Sequence, residues 1–525
     1  MKICHASLIL FLMCFADTGV SQEAVQFPGQ AGDWHGFAKY QVDVEGKTAT
    51  VVVPKKVAPG RPWVWHGEFF GHKPAPDIEL LNRGFHLVYL SIPNMLGSPP
   101  AVKHWDKCYE VMTGKYQLAP KVALVGLSRG GLYCYNWAIA NPTKVACIYG
   151  DAPVCDFKSW PGGKGTGKGS EQNWKLVLDL WNFKNEEEAL AYQGNPVDQL
   201  SPLAQAGVPL LHVFGDADDV VPWEENSGLI ADRYRKLGGS IQMIRKKGVN
   251  HHPHGLEDST PIVEFIEKHA APPKGQAIFR ENGLETYQLE SEHQSAPTNL
   301  YVLKPLRAQK EKPLRIVFLL PVEAGEGSQW GSPLAEVYQQ GLHEKHQVIF
   351  VTVTFSDLPW YADHPDDPKL QQEQYILGSV LPFVRWNVPE GRHDRDGRLL
   401  IGFSKSGWGA WSLLLRHPDK FAKAAAWDAP LMMSAPGKYG SMPIFGSEEN
   451  FEEYQLSAIL KQAGESHFAD NRLIHAGYDN FREHHEEMDS LLKSLEIPAI
   501  YIDGPQRKHH WQSGWFPGLL EELLK

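Results

Sequence analysis

Two short segments, one in each half of the chain, place a serine between small residues at the end of an apolar run. Residues 126–131 read Gly-Leu-Ser-Arg-Gly-Gly, and residues 402–407 read Gly-Phe-Ser-Lys-Ser-Gly. An amphipathic segment follows each of them. This strand–turn–helix context forces the serine onto a tight turn with an exposed hydroxyl, and larger neighbours would collide with the strand or the helix. The pattern predicts a nucleophilic serine in each half, Ser128 and Ser404.

Partners for the first serine follow it in the order acid, then histidine. Asp218 lies just past an apolar run that ends in glycine, and His251 lies just past another such run. In this arrangement Ser128 would attack, His251 would take its proton, and Asp218 would hold the imidazole in the required tautomer. The neighbouring histidines leave two alternatives for the base, His252 and His254.

The second half repeats the order with Ser404, Asp479 and His510. A second acid is available in each half, because an Asp-Ala-Pro segment follows the strand after each serine. These aspartates are Asp151 and Asp428, and the ordinary interpretation is that each caps a turn. The sequence favours Asp218 and Asp479 as the acids, with a smaller margin in the second half.

Two backbone N–H groups are expected to stabilise an oxyanion beside each serine. One should come from the loop after an early strand, at Gly67 or Glu68 in the first half and at Val322 in the second. The other should come from the residue after the serine, Arg129 or Lys405.

Short apolar runs alternate with helical stretches throughout both halves, which predicts an α/β fold with mostly parallel, doubly wound sheets. Similar spacing of the motifs, and a proline at the same distance after each serine, predict a tandem pair of domains. The expected boundaries are a signal segment at 1–21, a first domain at 22–271, a linker at 272–276 and a second domain at 277–525.

Each half carries a long insertion before its sixth apolar run, at about 154–207 and 431–470. Such an insertion would form a cap over the site. The first holds Trp160, Trp174 and Trp181, which are candidates for substrate binding because flat rings cover apolar faces of sugars or acyl groups. The alternative is that these tryptophans form the core of the cap itself.

Charge and composition limit the choice of partners. The formal net charge is −11 and no sustained basic stripe is present, which argues against a nucleic-acid partner. No cofactor motif is complete. Histidine pairs occur, but their spacing matches no closed metal site and adjacent histidines point in different directions, so no metal is expected.

The first 21 residues resemble an export signal, with one lysine, an apolar core at 8–16 and small residues before Gln22. A secreted or periplasmic location is therefore expected, without stable membrane insertion after cleavage. The four cysteines beyond this segment are Cys108, Cys134, Cys147 and Cys155. Export permits disulfides between them, although some are equally explained as small buried hydrophobes.

Together these motifs resemble a tandem of two α/β-hydrolase domains. The first half is similar to exported bacterial carbohydrate esterases and prolyl-oligopeptidase-like hydrolases, on 126–131, 215–222 and 248–251. The second is similar to the enterochelin-esterase and esterase D group, on 402–407 and His510 with the tryptophans that follow.

The resemblance implies a serine esterase acting on polysaccharide substituents such as O-acetyl or methyl esters, without a cofactor. A peptidase of the prolyl-oligopeptidase type is the first alternative, although no β-propeller precedes the catalytic half. A second alternative is that one half catalyses while the other binds substrate.

Overall fold

Two mixed β-sheets form the centre of the molecule. The computed structural model describes residues 26–307, 312–463, 470–478 and 480–525, and within these ranges each sheet has nine strands. Three antiparallel pairings at one edge lead into five parallel pairings, and helices flank both sheets. The pairing pattern is the same in both halves. The predicted α/β fold class, with two mostly parallel sheets flanked by helices, is confirmed.

The first sheet has the order β1-β2-β3-β5-β4-β6-β7-β8-β9. Its strands are β1 Gly32–Trp34, β2 Phe37–Val44, β3 Lys47–Val53, β4 Trp63–His66, β5 His86–Leu90, β6 Val122–Leu127, β7 Val145–Asp151, β8 Leu210–Gly215 and β9 Ile241–Lys246. The second has the order β10-β11-β12-β14-β13-β15-β16-β17-β18. Its strands are β10 Gly275–Glu281, β11 Leu284–Leu289, β12 Thr298–Leu303, β13 Ile316–Leu319, β14 Ile349–Val353, β15 Arg398–Phe403, β16 Lys423–Trp427, β17 Leu473–Ala476 and β18 Ala499–Tyr501.

Helices pack on both faces of each sheet. In the first half they are α1 Ala75–Asn82, α2 Pro99–Glu110, α3 Gly130–Ala140, α4 Glu171–Leu180, α5 Glu186–Ala191, α6 Ser201–Gln205, α7 Ser227–Lys236 and α8 Thr260–Ala270. In the second they are α9 Pro333–Gln339, α10 Leu342–His346, α11 Gln372–Gln374, α12 Leu381–Asn387, α13 Lys405–Arg416, α14 Met442–Phe445, α15 Glu448–Tyr454, α16 Leu456–Ala463, α17 Arg482–Ser494 and α18 Phe516–Leu524.

The central strands β6, β7 and β8 are buried along their whole length, as expected for parallel strands covered on both faces. Their carboxyl ends meet at one edge, where loops can bring side chains together. The edge strands β1, β2, β10 and β11 were not apparent from the sequence, because they lack a sustained apolar run. All seven residues of β10 are exposed.

The two halves meet through the side chain of Arg385, which belongs to α12 of the second half. Its guanidinium is buried and donates to the backbone carbonyl of Val145 at 3.1 Å, of Ala146, and of Ala206 at 3.4 Å, all in the first half. Burial lowers the pKa of Arg385 to about 10. The connection between the halves is short, since α8 ends at Ala270 and β10 already begins inside the predicted linker.

The four cysteines beyond the N-terminal segment are free and buried, and burial raises the pKa of each thiol. The possible disulfides are therefore not formed, and these residues pack as small hydrophobes. Within the described ranges, no helix combines the length and apolarity needed to cross a bilayer. The predicted signal segment, 1–21, lies outside the described residues.

Candidate active sites

Both serines occupy sharp turns between a strand and a helix. Ser128 follows β6 with φ of 48°, and Ser404 follows β15 with φ of 54°. Non-glycine residues adopt positive φ at a cost, which persists only where the surroundings fix it. Close packing explains the small neighbours: a Cβ on Gly402 would lie 2.4 Å from the carbonyl oxygen of Ser406. Each turn holds its serine at the carboxyl edge of the sheet.

A chain of two hydrogen bonds links three side chains in the first half. The Oγ of Ser128 lies 3.0 Å from Nε2 of His251. On the other side of the ring, Nδ1 of His251 lies 2.7 Å from Oδ2 of Asp218. These are the distances that a serine nucleophile, its base and an orienting acid require.

The acid and the imidazole of this chain are both held in place by the backbone around them. The second oxygen of Asp218 accepts the N–H of Val220 at 2.9 Å and of Val221 at 2.8 Å. The amide of His251 donates to the Asn250 side chain. Only 1% of the Asp218 side chain and 7% of the His251 side chain are exposed. The imidazole therefore has one preferred tautomer, with its Nε2 directed at Ser128.

The structure leaves fewer candidate oxyanion donors in the first half than the sequence predicts. The N–H of Gly67 donates to the carbonyl of Val125 at 2.9 Å, so it belongs to the strand ladder and is not available. Among the described residues, no acceptor meets the N–H of Glu68 or of Arg129. The expected donor at Gly67 is therefore corrected, and Glu68 and Arg129 are the pair that could receive an oxyanion.

The side chains of Glu68 and Arg129 join the loop after β4 to the turn that carries Ser128. Nε of Arg129 donates to Oε2 of Glu68 at 2.6 Å, and the Tyr133 hydroxyl donates to the other oxygen. The Arg129 guanidinium also lies over the ring of Phe69, 5.5 Å from its centre. Arg129 is thus engaged within the protein. Phe69 directly follows Glu68 and is 42% exposed.

A second buried acid–histidine pair lies next to the first. Nδ1 of His254 is 2.9 Å from Oδ1 of Asp151, whose other oxygen accepts the Gly255 N–H and the Tyr149 hydroxyl. Burial alone would raise the pKa of Asp151, but hydrogen bonds from His254 and Tyr149 hold that pKa below its usual value. Within the described ranges, the hydrogen-bond partners of Asp151 are therefore His254, Gly255 and Tyr149, and not His251.

The rings of His251, His252 and His254 lie edge to face, with centroids 4.9 to 5.0 Å apart. One nitrogen from each lies within 4.8 Å of the others, a separation that could bring three ligands to one metal ion. The expectation that neighbouring histidines diverge does not hold for this turn.

In the second half, the structure pairs different residues from those expected. Nδ1 of His509 lies 2.6 Å from Oδ2 of Asp428, and that carboxylate also accepts the N–H of Phe481 at 2.8 Å. His510 is excluded from this role, because its Nδ1 already accepts the backbone N–H of Gln512 at 3.1 Å. Asp479 lies outside the described residues.

A one-residue offset between the two halves explains why Asp151 and Asp428 do not occupy equivalent positions. The N–H of Ser128 donates to the carbonyl of Asp151, whereas the N–H of Ser404 donates to that of Trp427. Asp428 therefore corresponds to Ala152, and both have positive φ, 41° and 43°. Because side chains alternate between faces of a strand, this shift turns Asp428 towards His509. The shared letters Asp-Ala-Pro do not occupy equivalent positions.

The second site also differs at its serine and its oxyanion loop. Within the described ranges, no hydrogen bond joins the Ser404 hydroxyl to a histidine. The residue equivalent to Gly67 is Leu320, whose N–H donates to the carbonyl of Ile401. Pro321 therefore occupies the position of Glu68 and has no N–H to offer.

The expected donors at Val322 and Lys405 have no backbone partner among the described residues and stay candidates. The Lys405 side chain is half-buried, and burial lowers the pKa of its ammonium group although Glu323 opposes the shift.

The three tryptophans of the first insertion pack in the cap itself. Trp174 is only 8% exposed and belongs to the buried cluster of the cap, against which Trp160 and Trp181 also pack. Trp181 meets Phe157 edge to face at 5.3 Å. For Trp174 this corrects the expected role in substrate binding, since its ring is covered. Trp160 and Trp181 keep partly exposed surfaces.

No protein-family model and no curated protein sequence matches the chain. Solved structures are similar to somewhat less than half of the chain. An S-formylglutathione hydrolase from Agrobacterium tumefaciens is 15% identical, with 47% of this chain and 98% of that one covered at a TM-score of 0.37. A ferulic acid esterase is 19% identical over 48% of this chain and 97% of its own, also at 0.37. A puromycin-hydrolyzing peptidase from Mycobacterium tuberculosis is 16% identical over 44% of this chain and 38% of its own, at 0.35.

Proposed function

We propose that the protein is a serine hydrolase that cleaves carboxylic esters, with its principal active site at Ser128. One observation carries the proposal: Ser128, His251 and Asp218 form a continuous hydrogen-bonded chain at the carboxyl edge of the first sheet. The same strand edge supplies two backbone N–H groups without partners, at Glu68 and Arg129. Nucleophile, base, acid and oxyanion donors are thus present together.

In the proposed reaction, Nε2 of His251 accepts the Ser128 proton as Oγ attacks the ester carbonyl. The N–H groups of Glu68 and Arg129 stabilise the negative oxygen of the tetrahedral intermediate. His251 then gives its proton to the leaving alcohol, which leaves an acyl-enzyme on Ser128. Water activated by the same imidazole releases the acid, while Asp218 stabilises the imidazolium in both steps.

The proposed substrates are O-acetyl or methyl esters on polysaccharides. The exposed ring of Phe69 supports a sugar-sized ligand, because it follows the oxyanion residue Glu68 directly and offers a flat apolar surface. Pairing with Glu68 neutralises Arg129, the cation that directly follows the serine, which disfavours acidic acyl groups. Export of the chain, with cleavage near residue 21, is part of the proposal.

For the second half we propose Ser404, His509 and Asp428 as a subordinate hydrolytic site. Its acid–base pair is well formed, but its serine is not bonded to the base and Pro321 removes one oxyanion donor. The domain limits, 22–271 and 277–525, belong to the same proposal.

The experiment is hydrolysis of a panel of acetylated and methyl-esterified glycans by the full chain and by Ser128→Ala, with peptide substrates beside them. We expect ester cleavage that is lost in the variant, and mass-spectrometric detection of a fluorophosphonate adduct on Ser128. Cleavage of peptides alone, or labelling that spares Ser128, would overturn the assignment.

A further inference from the structure

The pair of Asp151 and His254 has no part in the proposed reaction, although it lies beside the base. Both members are buried, with side-chain exposures of 1% for Asp151 and 4% for His254. A buried carboxylate is costly unless it is hydrogen-bonded, and Asp151 accepts hydrogen bonds from the Tyr149 hydroxyl and the Gly255 N–H as well as contacting His254. With Nδ1 of His254 bound to the carboxylate, Nε2 of that ring has no partner among the described residues.

His251 is arranged in the same way. Its Nδ1 is held by a buried carboxylate, that of Asp218, so Nε2 is the nitrogen presented outward. Carboxylate-oriented imidazoles of this kind are typical of metal ligands, because the acid fixes the tautomer and raises the basicity of the free nitrogen. Two such rings and the exposed His252 each bring one nitrogen within 4.8 Å of the others.

We propose that His251, His252 and His254 form a binding site for a divalent transition-metal ion, zinc foremost, and that occupation of this site blocks the first active centre. Imidazole nitrogens suit zinc, which takes three protein ligands and a water in open sites. Binding at Nε2 of His251 removes the acceptor on which Ser128 depends, so metal and catalysis compete for one nitrogen.

Charge and access favour the ion. Two carboxylates, Asp151 and Asp218, lie behind the ligating rings and offset its double charge. Lys246 is the nearby cation, and it donates to the carbonyls of Pro253 and Gly255, which fixes the turn that carries His254. The ring of His252 is exposed, which gives the ion a route from solvent.

The geometry requires a small adjustment. Zinc–nitrogen bonds of about 2.0–2.1 Å place two ligands of a tetrahedral site about 3.4 Å apart. The widest separation in the cluster is 4.8 Å. Closing this gap requires side-chain rotation, which the exposed His252 can undergo more freely than the two rings held by carboxylates.

The test is zinc binding by the full chain, measured by calorimetry and by the visible spectrum of a cobalt substitute. We expect one site per chain that His252→Ala and His254→Ala each abolish or weaken strongly. Asp151→Asn should weaken zinc binding about 10–100-fold, the usual effect of removing an orienting acid. His35→Ala, an exposed histidine elsewhere in the first half, is the matched control and should change nothing.

Binding is measured separately from activity, so failure of the proposed function would not hide the result. Ser128→Ala should bind zinc at least as tightly as the parent chain, because the competing hydroxyl is gone. With an active enzyme, zinc should inhibit ester hydrolysis by the parent chain. His252→Ala should remove the inhibition when each rate is compared with the same variant's rate without zinc. Unchanged zinc affinity in a folded His252→Ala/His254→Ala variant, or no binding at micromolar zinc, would overturn the proposal.

Discussion

The two halves share one architecture and differ in how completely their sites are assembled. In the first, serine, base and acid are joined, and the loop residue beside them offers an N–H. In the second, the buried carboxylate that contacts a histidine is Asp428, at the end of the neighbouring strand. Within the described ranges the Ser404 hydroxyl bonds to no histidine, and Pro321 stands where the first half has the loop N–H. Conserving the strand order therefore does not conserve the chemistry, which depends on single-residue placements at the strand ends.

The largest expected effect separates the two serines. Ser128→Ala should lower kcat/KM for esters by about 10⁴–10⁶-fold, because it removes the serine that is hydrogen-bonded to the proposed base, His251. Ser404→Ala should leave the rate nearly unchanged. Steady-state kinetics on the same ester decide this, and the reverse ranking would make the second half the principal site.

The second largest effect is expected from removing the proposed acid of the second site, Asp428. It is measured in the Ser128→Ala background, so that only residual activity is observed. Asp428→Asn should reduce that activity by about 10⁴-fold through the wrong imidazole tautomer. Asp479→Asn is the control and should have little effect. Thermal melts must accompany both variants, and an active, folded Asp428→Asn protein would contradict the pairing with His509.

A smaller effect is expected from exchanging the oxyanion loops. Glu68→Pro should lower kcat of the first site by about 10²–10³-fold, the contribution of one donor. Glu68→Ala, which keeps the N–H, controls for loss of the Arg129 contact. Pro321→Gly should raise the rate of the second site, measured without Ser128. If both proline exchanges leave kcat unchanged, this N–H does not contribute to catalysis.

The smallest expected effect concerns equivalent buried histidines on β8 and β17. His212 bonds to Tyr135 at 2.6 Å and Ser227 at 2.9 Å, whereas Nε2 of His475 has no partner. Burial lowers the pKa of His212 to about 3 and of His475 to about 4. Below pH 6.5 these two histidines bind protons in the unfolded chain but stay neutral in the folded one. The free energy of unfolding therefore falls as the pH drops from 6.5 to 4.

Each glutamine variant should therefore flatten the decline of Tm between pH 6.5 and 4. At pH 7, His212→Gln should cost more stability than His475→Gln, because it forfeits two hydrogen bonds of about 1 kcal/mol each. Melting curves across this pH range test both statements. An equal Tm for the two variants at pH 7 would contradict the prediction that His212 contributes more to stability than His475.

The two aspartates Asp218 and Asp428 show best how much could be predicted from the sequence. The fold class followed from alternating apolar runs, and Asp218 lay where its strand ends. Asp428 could not be assigned, because identical Asp-Ala-Pro letters conceal a shift of one position that reverses the direction of a side chain. Likewise, whether the N–H of Gly67 is free depends on its bond to Val125, a contact that only the assembled sheet reveals.

The burial of Arg385 couples the unfolding of the two halves. Its charge is balanced by three carbonyl oxygens and by no carboxylate within the described ranges, and all three belong to the other half. Melting of the first half would thus strip a buried cation of its acceptors, and each such bond contributes about 1.5–3 kcal/mol. Thermodynamic coupling follows: despite their separate sheets, the halves should unfold in one calorimetric transition, and Arg385→Met should split it into two.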